Sequence, residues 1–131
     1  MIAAQTGRVL VADDDRGVRE SVAEILTSYG YTVIEADDGD VALDRLAAGD
    51  VDAVLLDVKM PRRDGLSVLD DMEPAPPPPG VVLVTAYDIT PELRRRIGGR
   101  VTKILRKPVP PRTLLDVIGE AVRSARPSAG A

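Results

Sequence analysis

"RVLVADDDRG", residues 8–17, carries an apolar run straight into three consecutive aspartates, Asp13, Asp14 and Asp15. A short run of this kind, rich in β-branched residues and ended by polar ones, reads as a buried strand that delivers its last residues to one edge of a sheet. At about 5 Å and an effective dielectric near 20, each pair of carboxylates repels by roughly 3 kcal/mol. The stretch therefore demands a compensating positive charge from elsewhere in the chain.

Working outward, four further β-type runs follow: "YTVIE" (31–35), "DAVLLD" (52–57), "VVLVT" (81–85) and "RVTKIL" (100–105). Helical patterns lie between them. Val18, Val22, Ile25, Leu26 and Tyr29 recur at helical spacing behind an aspartate cap and end at Gly30, and Leu43, Leu46 and Ala47 mark a second helix ended by Gly49. A weakly marked third helix follows Gly65, and an arginine-rich fourth follows Pro91. A fifth begins at Pro110-Pro111, buries Leu114, Leu115, Ile118 and Val122, and extends no further than about Arg126.

Strict strand-helix alternation implies an α/β fold, a doubly wound (βα)5 flavodoxin-like sandwich on a parallel sheet. Runs one, three and four are continuously apolar, as central strands covered on both faces should be. "YTVIE" and "RVTKIL" carry interior polar residues suited to edges, so with right-handed crossovers the expected order is 2-1-3-4-5. "EPAPPPPG" (73–80) reads as a stiff connection at the N-terminal edge of the sheet rather than a polyproline ligand, and residues 127–131 as a flexible tail or the start of a linker.

Composition removes several chemistries. The 131 residues suit one domain, with no cysteine, no histidine, no tryptophan and no phenylalanine. Zinc-thiolate sites, imidazole bases and a phosphohistidine on this chain are excluded, and the aromatic platforms of single-strand nucleic-acid binders are missing. No apolar run reaches membrane-spanning length and "MIAAQTGR" lacks a secretory pattern, so a cytoplasmic protein without membrane or direct nucleic-acid contacts is expected. The net charge of −4 hides an asymmetry: residues 94–107 hold seven cations and no acid, which leaves −11 for the rest. That stretch reads as a solvated face or as a docking surface for an acidic partner. Arg62 and Arg63 would steer an anionic donor or sit in water.

Ligands of open α/β sheets bind at the C-terminal edge, near the switch point in strand order. That edge would gather Asp13, Asp14 and Asp15 after the first strand, Asp57 closing the third, Thr85 closing the fourth, and Lys107 just past the fifth. Carboxylates without histidine or thiolate make a hard oxygen site suited to Mg²⁺ or Mn²⁺. With Lys107 opposite, such a site has the parts for phosphoryl transfer: an acceptor, neutralising charge and a hydroxyl donor. Asp15 is read as a helix cap rather than a ligand.

"VLVADDDRG", "LLDVKMPRRDG", "VTAY" and "LRKPV", in that order and at these separations, resemble the response-regulator receiver domain of two-component signalling, the CheY-like family, over about residues 7–126. The resemblance implies that Asp57 is the phosphoacceptor and that Asp13, Asp14, Asp57 and the Lys59 carbonyl hold Mg²⁺. It further implies that Thr85 and Lys107 contact the phosphoryl group, that Pro61 and Gly65 shape the loop after Asp57, and that Pro108 follows Lys107 in a bond that is cis in many members. The donor would be a histidine kinase or a histidine phosphotransfer protein. The recipient of the signal would be an effector protein or a second receiver copy, bound on the face of the fourth helix, fifth strand and fifth helix. Such a domain catalyses only its own phosphoryl transfer and autodephosphorylation.

Two departures from the family pattern stand out. Ile104 occupies the usual aromatic switch position, where a β-branched side chain has fewer rotamers to exchange, and Lys59 and Tyr87 occupy positions that tune phosphoryl lifetime. Two rival readings are a receiver-like docking module that works without phosphorylation and a phosphatase of the haloacid-dehalogenase kind. Asp13 and Asp15 have the spacing for the phosphatase, but Gly17 stands where a threonine or valine should follow.

Overall fold

The computed structural model describes residues 6–73 and 78–125. Five strands, β1 (Arg8–Ala12), β2 (Thr32–Ala36), β3 (Ala53–Asp57), β4 (Gly80–Thr85) and β5 (Lys103–Arg106), alternate with five helices, α1 (Arg16–Ser28), α2 (Gly39–Ala48), α3 (Gly65–Asp71), α4 (Pro91–Ile97) and α5 (Pro111–Ala125). All strands pair in parallel, and the sheet order is β2-β1-β3-β4-β5. The expected topology is the one found.

Its cause is visible in the burial. Every residue of β3 and β4 is buried, whereas the edge strands β2 and β5 expose their polar positions. Side chains alternate between faces, so Leu10, Val54, Leu56 and Leu83 pack with Ala42 and Leu46 of α2 and with Val68 and Leu69 of α3. On the other face Val9, Val11, Leu55, Val82 and Val84 meet Leu26 of α1 and Leu114, Ile118, Ala121 and Val122 of α5. Each fully buried leucine or isoleucine stabilises the fold by roughly 1.5–3 kcal/mol relative to its exposed state.

Several boundaries differ from the sequence expectation. β5 begins at Lys103, not Arg100, because Arg100 is held in a turn: its Nε donates to the Ile97 carbonyl at 3.0 Å and its guanidinium also reaches the Arg96 carbonyl at 2.7 Å. Tyr31 and Asp52 precede their strands instead of opening them. Tyr29 is not helical but caps the C-terminus of α1, and its side chain, like that of Val18, is exposed. Leu115 is only half-buried, whereas Val117, two residues on and so on the other side of α5, is buried. The proline-rich expectation at residues 74–77 and the tail from residue 126 lie outside the described residues.

Four of the five helices, α1 to α4, start where a side chain satisfies one of their first amides. Asp15, Asp38, Asp64 and Thr90 each accept from the N–H three residues on, from Val18, Val41, Ser67 and Leu93 respectively. Such a cap contributes about 1 kcal/mol. The reading of Asp15 as a cap therefore holds.

Candidate functional site

β1 and β3 are neighbours, with Ala12 paired to Leu56, so their C-terminal ends bring Asp13 and Asp57 to one crevice. Asp13 is 6% and Asp57 5% exposed, while Asp14 is exposed. One carboxylate oxygen from each of Asp13, Asp14 and Asp57 lies within 4.8 Å of the others. The charge that the opening stretch demanded comes from Lys107, just past β5: its Nζ donates to Asp13 Oδ2 at 2.9 Å and to Asp57 Oδ2 at 3.1 Å. The Lys107–Pro108 peptide bond is cis.

Thr85 closes β4 and is 2% exposed. Its Oγ1 accepts from the Tyr87 amide at 3.0 Å, which leaves the hydroxyl proton available to a further acceptor. The Thr85 carbonyl accepts from the Lys107 amide at 2.8 Å, so hydroxyl and ammonium are carried on two backbones that are hydrogen-bonded to each other.

Burial pushes the Asp57 carboxyl above its ordinary range, the hydrogen bond from Lys107 works against this, and the charge of Asp13 adds to it. For Lys107, burial works against the ammonium, but the hydrogen bonds and charges of Asp13 and Asp57 outweigh it, and the group is raised. The lysine is thus held as a cation.

The loop leaving Asp57 is anchored at its base. The Gly65 amide donates to the Val58 carbonyl at 2.8 Å, and a Cβ at Gly65 would lie 2.3 Å from the Asp57 carbonyl oxygen, so only glycine fits there. The Lys59 ammonium sits 5.5 Å from the centre of the Tyr87 ring. A groove of about 560 Å³ runs from Asp13, Asp57 and Lys107 along Val18 and Val22 of α1 and past Val109.

Three hard oxygen donors in one crevice, one of them exposed, match the preferences of Mg²⁺, a small cation that keeps part of its water shell. Asp13, Asp14 and Asp57 fit such an ion.

A family model described as "Response regulator receiver domain" matches residues 9–119. The chain belongs to the response-regulator receiver family. Relatives include the response regulator MprA of Mycolicibacterium vanbaalenii, 39% identical over 124 residues that make up 95% of this chain and 54% of the relative. MprA of Mycobacterium avium is 38% identical over 120 residues, 92% of this chain and 53% of that protein. The chain spans about half the length of the curated relatives it matches. Among solved structures, a CheY-like receiver domain protein from Methanospirillum hungatei superposes with a TM-score of 0.80 at 26% identity, covering 92% of this chain and 97% of that one. Chemotaxis protein CheY4 of Vibrio cholerae gives 0.75 at 25% identity, covering 89% and 99%. This chain is accordingly a receiver domain of two-component signalling, built on the CheY-like fold.

Within this receiver domain, Asp13, Asp14, Asp57, Thr85 and Lys107 all reach the C-terminal edge as expected. The basic stretch is a different matter. Arg96 and Arg100 both bind Asp70 of α3, at 2.7 and 2.8 Å, Arg95 pairs with Glu92, and Arg106 pairs with Asp88. Five of its seven cations thus pair with acids of the fold, and all but Lys107 stay exposed to water. Arg62 and Arg63 are likewise engaged, with Asp38 and with Asp40 and Asp71. Arg19 was not singled out by the sequence: its guanidinium donates to the Asp13 carbonyl at 2.8 Å and to Glu35 at 3.0 Å, so it steadies the turn that carries the acids. Its position one helical turn inside α1, four residues after the Asp15 cap, was the available signal.

Proposed function

We propose that Asp57 accepts a phosphoryl group from a phosphohistidine carried by another protein, a histidine kinase or a histidine phosphotransfer protein. The observation that carries this reading is the pairing of Asp57 with Lys107 at 3.1 Å inside a cluster of three carboxylates. A carboxylate oxygen of Asp57 attacks phosphorus, the bond from phosphorus to the donor's imidazole nitrogen breaks, and the imidazole leaves with the electron pair. The Lys107 ammonium and the Thr85 hydroxyl donate to phosphoryl oxygens and hold them in line.

Asp13, Asp14, Asp57 and the Lys59 carbonyl are assigned to hold Mg²⁺, which when bound neutralises charge building up on the phosphoryl oxygens. Attack of water on the phosphorus of the modified Asp57 breaks its bond to the carboxylate oxygen, releases inorganic phosphate and restores the free carboxylate, so the only reactions catalysed are the domain's own. The added charge shifts a pre-existing equilibrium of the surface formed by α4, β5 and α5, where an effector protein or a second receiver copy binds. Arg94 and Lys103, exposed on that surface, supply cations for such a partner. The domain works in the cytoplasm, in keeping with the absence, among the described residues, of any helix long and apolar enough to cross a membrane.

Incubation with Mg²⁺ and acetyl phosphate, followed by intact-mass measurement, tests the reading. The expected result is gain of one phosphoryl group by the wild type and none by Asp57→Asn. Gain that survives Asp57→Asn overturns it, and partner binding unaffected by Asp57→Ala would support the phosphorylation-independent docking module.

A further inference from the structure

The loop between Asp57 and α3 spans residues 58–64, and its exposed middle adopts an uncommon shape. Arg62 has φ +67°, a left-handed conformation that a long side chain takes up only when its surroundings hold it there. What holds it is the first turn of α2. A Cβ at Gly39 would lie 1.9 Å from the Arg63 carbonyl oxygen and 2.7 Å from its carbonyl carbon, so the two backbones are in direct contact. The φ of Gly39 is not in the left-handed region, and glycine is needed there for room rather than for backbone freedom.

Charges on both sides of that contact reinforce it. Arg63 Nε donates to Asp40 Oδ1 at 3.0 Å, Arg62 Nε lies 3.2 Å from Asp38 Oδ2, and the other end of the Arg63 guanidinium reaches Asp71 of α3. The Arg63 amide in turn donates to the Pro61 carbonyl at 2.7 Å, which passes the constraint toward Lys59, two residues past Asp57. Pro61 fixes its own φ and transmits displacement instead of absorbing it.

We propose that the first turn of α2, through Gly39 and Asp40, is a positioning element for the loop 58–64, and that it sets where Lys59 stands relative to Asp57 and a bound Mg²⁺. This rests on the assignment of Asp57 and its neighbours as the metal-dependent phosphoacceptor site. Neither Gly39 nor Asp40 touches the reacting atoms. Both act through the backbone of Pro61–Arg63.

The test is Gly39→Ala, read by calorimetric titration with Mg²⁺, by the Lys59 amide resonance in the metal-free protein, and by thermal unfolding. The expected result is Mg²⁺ affinity lowered about tenfold, the scale seen when groups that orient metal ligands are lost. The Lys59 resonance moves and unfolding stays cooperative. A variant that melts earlier but keeps wild-type Mg²⁺ affinity and the wild-type Lys59 resonance overturns the proposal. Should Gly39→Ala not fold, Asp40→Asn and Arg63→Gln alter exposed side chains of the same contact. Weaker Mg²⁺ binding by both supports it, and unchanged affinity in both overturns it. Failure of the wild type to gain phosphoryl mass sinks the assignment of Asp57 instead, while the Mg²⁺ affinities and the Lys59 resonance still decide the positioning role.

Discussion

Lys107 donates to Asp57 Oδ2 at 3.1 Å from 50 residues further along the chain, and the same Nζ is shared with Asp13. One ammonium therefore serves two nearly buried carboxylates. Its removal leaves both without their cation, and Lys107→Met is expected to lower stability by about 2 kcal/mol in urea unfolding without metal. Saturating Mg²⁺ should recover part of that loss through preferential binding to the folded state. Equal stability of variant and wild type in chelator would show that the acids do not need the lysine.

Asp57 carries the opposite signature. Burial raises its carboxyl above the unfolded value, so the folded state binds the proton more tightly and stability declines as pH rises through the interval between the unfolded and folded values. The penalty is absent below the ordinary aspartate value near 3.8 and fully present once pH has passed the folded value. Asp57→Asn is expected to raise the melting temperature at pH 7 in chelator, with the gain vanishing at acid pH. A gain of the same size at both pH values would assign it to packing instead of ionisation.

How much of this was legible beforehand follows from the range of each interaction. β1 was readable to the residue because four apolar side chains end abruptly at Asp13, and the strand order because edge strands must tolerate water on their polar positions. Asp13, Asp14, Asp57, Thr85 and Lys107 could be placed together because the C-terminal edge of a parallel sheet gathers whatever follows each strand. Arg96, Arg100, Arg62 and Arg63 could not be assigned partners, since pairing of exposed ions depends on how helices lie across the sheet. α3 and α4 have seven residues each, too few for apolar periodicity to reveal the face they present. The contact between Gly39 and Arg63 is one of backbones, and leaves no mark in side-chain patterning.

Asp70 is the acid on which α3 and the arginines of α4 and its following turn converge. Hydrogen bonds from Arg96 and then Arg100 hold its carboxyl down to about 2. For a depressed carboxyl the stabilisation is complete above the unfolded value of 3.8 and fades as pH falls through about 2. Asp70→Asn is therefore expected to melt earlier than wild type at pH 6 and to match it near pH 2. Because the group is exposed, the difference should also shrink in high salt, and a salt-independent difference would contradict an ionic origin.

Asp14 and Asp15 are adjacent, acidic and exposed, yet they face different duties. Asp14 offers an oxygen to the group formed with Asp13 and Asp57, whereas Asp15 Oδ1 accepts from the Val18 amide at 3.0 Å and closes the N-terminus of α1. Asp14→Asn should weaken Mg²⁺ binding at least tenfold by calorimetry, because it removes a charged ligand, and should leave the melting temperature in chelator unchanged or higher through relief of repulsion. Asp15→Ala should do the reverse, costing about 1 kcal/mol of stability as a lost cap while Mg²⁺ affinity stays near that of wild type. If the two variants changed the same quantity in the same direction, the division between ligand and cap within this acidic run would be wrong, and Asp15 would have to be counted among the groups that meet the metal.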